Sequence, residues 1–224
     1  MINKIVAGVE QAVADIKDGD TVMLGGFGHT GVPFNLVQAL LDQGTRQLTV
    51  ICNAVSQGAP LIENRRISKL IASFPMWVVR SQTNPLDEQY VAGEIVLEMV
   101  PQGTLAERIR AGGAGVAAFY TPTGVGTILE EGKEKRIIDG KEYLLEWALK
   151  ADVALIKAYK GDRMGNLVYH TTARNYNPIM ATAAKLTIAE VEEIVDVGQL
   201  DPETIVTPGI FVDRVVKVSK RSHW

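Results

Sequence analysis

The sequence predicts an α/β fold: a mostly parallel sheet covered by helices, with an inserted antiparallel hairpin. Three observations carry this. Short, largely apolar runs alternate with helix-patterned segments, and glycines cluster where a strand hands over to a helix. One stretch alone, Arg136–Leu145, has hairpin chemistry. The chain has 224 residues, 46% of them hydrophobic, enough to build a core without metal or disulfide staples. No internal repeat and no Pro/Ser-rich linker divides it, so one domain over residues 1–224 is expected.

Ile5, Val9, Ala12, Val13 and Ile16 fall at helical spacing, closed by Asp18-Gly19. Thr21–Leu24 reads as a short strand, followed by a glycine-rich run, Gly25–Gly31. Pro33 suits the first turn of a helix whose apolar face is Phe34, Val37, Leu40 and Leu41, with Gly44 as its stop. Leu48–Cys52, Leu70–Phe74 and Ile95–Val100 read as strands, and Thr104–Arg110 as a helix ended by Gly112-Gly113. Asp139-Gly140 between two β-prone runs marks the hairpin. Val153–Ala158, Leu186–Val191 and Phe211–Val218 complete the strands, with a short helix over Pro178–Lys185.

Composition excludes several classes. With 23 Lys+Arg against 26 Asp+Glu, the formal charge of −3 leaves no basic stripe for nucleic acid. The longest apolar stretch, Ala111–Tyr120, is about half of the roughly 20 residues a membrane-spanning helix needs. No secretory signal pattern opens the chain, and the single cysteine, Cys52, has no internal partner. A cytoplasmic, reduced protein is expected. His29, His170 and His223 lack metal-ligand spacing, so no metal is expected.

The segment Gly25-Gly26-Phe27-Gly28-His29-Thr30-Gly31 joins a strand to a helix, where bare N–H groups can receive a phosphate or an oxyanion. No lysine follows, as a P-loop would require, and Cys52-Asn53 stands where a dinucleotide site would carry an acid. On spacing alone, a tight turn for strand–helix packing is the slightly favoured reading.

The wider context, Asp18-Gly19 through Val32-Pro33, resembles the N-terminal signature of the family I coenzyme A transferases. Four further blocks resemble the family's first chain, the A-type subunit of the 3-oxoacid and 3-oxoadipate enzymes. These are Val100–Gly115, Phe119–Thr127, Lys157–Pro178 and Asp201–Gly209, so the likeness runs from about Asp18 to Val218. Some single-chain members fuse both halves, and this length corresponds to the first.

The resemblance implies ping-pong transfer of CoA from succinyl-CoA to a 3-oxo acid, 3-oxoadipate or acetoacetate, through a glutamyl-CoA thioester. CoA is then a substrate, not a permanently bound cofactor. The family's nucleophilic glutamate belongs to a homologous second chain, the B-type subunit, which implies a heterodimer or heterotetramer. Here the one Glu-Asn pair, Glu63-Asn64, is followed by Arg65 and does not match the nucleophile's context. What the resemblance leaves to this chain is the oxyanion contact and part of the CoA site. Gln102 matches the family's glutamine at the glutamyl centre, and Gly25, Gly26, Phe27, Gly28, His29, Thr30 and Gly31 match its glycine loop. Asn53 matches one of the pair in an Asn-Asn-Ala-Gly stretch, the other being absent. Read as residues alone, Gln102 is equally a polar residue at a helix start, and Asn53 equally a strand-end residue bonded to local backbone. Arg108, Arg110, Lys157 and Lys160 are candidates for CoA phosphates or for solvated faces. Met76–Pro85 departs from the family and is a candidate wall of the acceptor pocket. The runner-up is a non-catalytic CoA- or nucleotide-binding regulatory module, and a sugar-phosphate isomerase ranks third because no internal acid–base set is visible.

Overall fold

A strand buried on both faces shows no alternation of hydrophobicity, only of which layer each side chain enters. The apolar runs of this sequence are of that kind. The computed structural model describes residues 2–75 and 84–219. The first half of the chain forms α1 (Val9–Val13), β1 (Thr21–Leu24), α2 (Phe34–Gln43), β2 (Leu48–Ala54), α3 (Ala59–Glu63) and β3 (Ile67–Phe74), then α4 (Pro85–Val91) and β4 (Val96–Met99). The second half begins with α5 (Gln102–Ala114), β5 (Ala118–Thr121), β6 (Lys135–Ile138) and β7 (Lys141–Trp147). It ends with β8 (Ala151–Asp162), β9 (Leu167–Val168), α6 (Asn177–Thr182), β10 (Ala184–Val195) and β11 (Arg214–Lys217).

The main sheet has the order β11-β10-β8-β1-β2-β3-β4, every neighbouring pair parallel, with β9 added antiparallel to β8. Within β1, Val22 and Leu24 pack in the layer holding Leu36, Leu40 and Leu61 from α2 and α3. Met23 points the other way, into the layer of Leu105 and Ile109 from α5 and Met180 from α6. β2 and β8 alternate likewise, with Val50, Cys52, Val153 and Leu155 on the first side and Ile51, Ala154 and Ile156 on the second. The chain steps outward from β1 to β4 and then returns to lay β8, β10 and β11 on the other side of β1. Winding therefore reverses at β1, and the crevice beyond the carboxyl ends of such strands is where open α/β sheets bind ligands.

The mostly parallel sheet and the inserted antiparallel element are both present, with differences in detail. The insertion is three-stranded, in the order β5-β7-β6, because Ala118–Thr121 also pairs with β7. Its predicted turn is there: Asp139 and Gly140 both have positive φ, 49° and 75°, as a two-residue hairpin of this kind requires. The Gly112-Gly113 pair does not end a helix. α5 runs through it to Ala114 and stops at Gly115, with φ 74°. A Cβ on Gly112 would lie 1.9 Å from the Leu149 carbonyl oxygen, and one on Gly113 2.0 Å from Thr182 Oγ1. The pair exists so that α5 can press against α6 and the chain leaving β7.

Other boundaries also move. The first helix keeps only Val9–Val13, because Ile5 bridges to Val215 at the sheet edge. The helix expected over Pro178–Lys185 ends at Thr182, and Lys185 already belongs to β10. Phe211 lies in a single 3₁₀ turn before β11. Of the Met76–Pro85 stretch, residues 76–83 lie outside the described residues, as does His223. No described helix is long and apolar enough to cross a membrane.

Candidate active site at the strand ends

Where β1 ends, Gly25 N–H donates to Leu155 O at 2.9 Å and the chain leaves the sheet. Phe27 and Thr30 then exchange both backbone hydrogen bonds at 3.0 Å, so Gly28 and His29 form the tip of a tight turn. Gly28 has φ 57° with open space where a Cβ would be, whereas a Cβ on Gly25 would meet Asn177 Oδ1 at 1.9 Å. Two reasons for glycine thus coexist in one loop: close packing at its root and backbone conformation at its tip. Phe27 is about half exposed, and with Thr30, Thr172 and Asn175 it lines an open depression beside the loop.

Three consecutive residues hold this loop and its neighbour. Asn175 Nδ2 donates to Thr30 O at 3.0 Å, and Asn177 Nδ2 donates to Gly31 O at 3.0 Å. The Tyr176 hydroxyl between them donates to Gln102 O at 3.1 Å, with burial pushing its pKa up to about 12. Asn177 is fully buried, and its Oδ1 also accepts from Lys157 N–H at 3.0 Å, which fixes it to β8. The bracket at 175–177 touches both the glycine loop and the start of α5. Sequence reasoning assigned these residues no role; the signal available was two amide side chains flanking a tyrosine at the start of a helix.

Gln102 opens α5, and its Nε2 donates to Asn53 Oδ1 at 2.8 Å. Asn53 is buried, the penultimate residue of β2. The structure thus joins the two polar residues singled out after different strands. An amide carries two N–H groups; among the described residues Asn53 takes one, and the second has no protein acceptor.

The other polar and titratable residues are placed as follows. Burial pushes the Cys52 thiol up to about 12, and its Sγ lies 3.2 Å from Ala54 O, so it offers no thiolate. Arg108 pairs with Glu98 at 2.8 Å and donates to Trp147 O at 2.7 Å, tying α5 to β4 and β7. Arg110 pairs with Glu107, and Lys160 with Glu193 at 2.8 Å. Lys157 lies 3.4 Å from Glu192 and 3.8 Å from Glu190. Glu63 is exposed at the end of α3. His29 sits on the turn tip, and His170 packs against Tyr159. Among the described residues no group of three or more His, Cys, Asp or Glu is placed to hold a metal ion.

One further acid escaped sequence reasoning. Glu190 on β10 is fully buried and accepts at 3.0 Å from both Asn35 N–H and Leu36 N–H, in the first turn of α2. Burial outweighs these bonds and the nearby Lys157, pushing its pKa up to about 7. With its oxygens occupied as a helix cap, it is a brace for the segment following the glycine loop, not an accessible nucleophile.

The model of the coenzyme A transferase family matches residues 6–218. The chain belongs to the coenzyme A transferase family. Among its relatives, this coenzyme A transferase is 53% identical over 223 residues to the A-type subunit of 3-oxoadipate CoA-transferase from Pseudomonas putida, covering 98% of this chain and 95% of that protein. It is 48% identical to the alpha subunit of the acetate CoA-transferase from Escherichia coli K12, covering 96% of each. Glutaconate coenzyme A-transferase from Acidaminococcus fermentans shares the fold, with TM-score 0.87 and 22% identity, over 96% of this chain and 76% of that one. An acyl-CoA transferase from Escherichia coli O157:H7 also matches, with TM-score 0.82 and 23% identity, over 96% of this chain. The chain spans about half, 47%, of that longer polypeptide.

Proposed function

We propose that the chain, over residues 1–224, is the A-type subunit of a heteromeric transferase moving CoA from succinyl-CoA to a 3-oxo acid. 3-Oxoadipate and acetoacetate are the acceptors favoured, since relatives about half identical are named as A-type subunits of 3-oxoadipate and succinyl-CoA:3-ketoacid transferases. The observation that carries the division of labour is the Gln102–Asn53 pair: an oriented amide donor at the strand ends, with no exposed glutamate bonded to it among the described residues. A homologous B-type partner, in a heterodimer or heterotetramer, supplies the nucleophile. The lone buried Cys52 suits a reducing, cytoplasmic setting.

In this reading the partner's glutamate carboxylate attacks the succinyl thioester carbonyl. The C–S bond breaks, leaving a mixed anhydride and CoA thiolate. The thiolate then attacks the glutamyl carbonyl of the anhydride, giving glutamyl-CoA and releasing succinate. The 3-oxo acid carboxylate repeats the sequence in reverse and leaves as its CoA thioester. Each attack places negative charge on a carbonyl oxygen, and the second N–H of Gln102, aimed by Asn53, stabilises that oxygen. The loop from Gly25 to Gly31 contacts the CoA thioester end, with Gly28, His29 and Thr30 as its accessible face and Phe27 as its apolar wall. The test is reconstitution: this chain and a glutamate-bearing partner, assayed apart and together with a panel of 3-oxo acids. Full transfer by the isolated chain overturns the reading.

A further inference from the structure

The parallel ladder between β1 and β2 runs from Thr21↔Thr49 to Leu24↔Cys52. Beyond it the strands part, because Gly25 gives its N–H to β8 and turns into the loop. The parting leaves the Gly25 carbonyl on one strand end and the Ala54 N–H on the other needing partners in a buried place. Gln57, in the 3₁₀ turn Val55–Gln57 that follows β2, serves both. Its Nε2 donates to Gly25 O at 2.7 Å and to Leu24 O at 3.2 Å, and its Oε1 accepts from Ala54 N–H at 2.7 Å. The side chain is fully buried. Its amide fills the split as a peptide unit would, and a Cβ on Gly26 would lie 3.1 Å from its nitrogen.

One amide therefore grips the root of the glycine loop and the residue beside Asn53. We propose that Gln57 is a positioning residue for the transferase site, setting the spacing between the loop that begins at Gly25 and the Asn53–Gln102 pair. It touches no substrate and acts through the two strand ends. The inference rests on the functional reading above insofar as those two groups are the halves of the reacting site.

Gln57→Met and Gln57→Leu keep the side chain's bulk while removing every one of these hydrogen bonds. A displacement of about 1 Å at a reacting centre costs about 100-fold in rate. The variants, reconstituted with the glutamate-bearing partner and assayed with succinyl-CoA and 3-oxoadipate or acetoacetate, should lose ~10- to 100-fold in kcat. KM for succinyl-CoA should stay within about threefold, since contacts along the rest of CoA persist. Amide hydrogen exchange should accelerate over residues 24–31 and 53–57 and not in β8 or β10. An assembled variant turning over at the wild-type kcat overturns the proposal, as does exchange accelerated across the whole sheet with kcat and KM failing together. If neither variant assembles, exchange in the isolated full-length chain decides: acceleration confined to those two segments supports the proposal, and its absence overturns it. Gln102→Ala, measured alongside, separates the two readings. Slowed Gln57 variants with an unaffected Gln102→Ala would remove the oxyanion role and leave Gln57 in place. The opposite pattern would remove Gln57 alone.

Discussion

Gln102 donates one amide hydrogen to Asn53 across 2.8 Å, joining the first turn of α5 to the end of β2. If the other hydrogen stabilises the oxyanion, Gln102→Ala in the reconstituted enzyme lowers kcat by ~10²–10³-fold, or about 2.7–4 kcal/mol. Steady-state kinetics on an assembly confirmed by size measurement checks this, and an unchanged kcat excludes the role.

Asn53 then acts through Gln102. Asn53→Ala should lower kcat less than Gln102→Ala does, and should add little in the Gln102→Ala background. A double-mutant cycle should return a coupling of ~0.5–3 kcal/mol, the range for groups in direct contact. Strict additivity would mean that the bond does not orient the donor.

The two kinds of glycine in the loop separate by substitution. Gly25→Ala forces a Cβ against Asn177 Oδ1, breaking the bracket that also holds Gly31 and Lys157 N–H, and should cost several kcal/mol or prevent folding. Gly28→Ala meets open space and carries only the strain of positive φ, ~1–2 kcal/mol. Denaturant titration of both variants ranks them, and equal costs would contradict the geometry.

Arg108 is read as structural. Its guanidinium pairs with Glu98 and Trp147 O and stands 3.9 Å from the buried Glu146. Arg108→Met should therefore destabilise the chain by about 1–3 kcal/mol, while KM for the CoA substrate is preserved. A large rise in KM without loss of stability would instead assign Arg108 to a CoA phosphate.

Glu190 gives stability a particular pH dependence. Its folded pKa, about 7, lies above the unfolded carboxylate value, so the native state holds the extra proton between them. Its stabilising contribution is complete below the unfolded pKa and is lost as pH rises through about 7. Glu190→Gln removes that loss: relative to the variant, the wild type should weaken by a few kcal/mol between pH 4.5 and 7. Chemical denaturation of both proteins at the two pH values measures the difference, and parallel profiles would refute the assignment.

Much of the architecture is local information. The β1 run, the Gly44 stop, the Asp139-Gly140 turn and the alternation of apolar runs with helices are each readable within about ten residues, because backbone geometry and period determine them. Gly112-Gly113 was misleading for the same reason. As local chemistry it signals a helix end, whereas its cause is Leu149 and Thr182, far away in the chain. The motif blocks carried the family resemblance, and the coenzyme A transferase family model matches residues 6–218.

The sequence by itself determined the α/β class and the family. Tertiary structure alone decided which polar residues meet. Asn53 and Gln102 are 49 positions apart, and Gly31 and Asn177 146 apart, yet each pair is one hydrogen bond long. Parallel strands bring their carboxyl ends to one edge however distant they are in sequence. Propensity and period describe each strand but say nothing of which strand becomes its neighbour. That is why the glycine loop, strongly marked in the sequence, left its clamps Gln57, Asn175 and Asn177 to be found only in the fold.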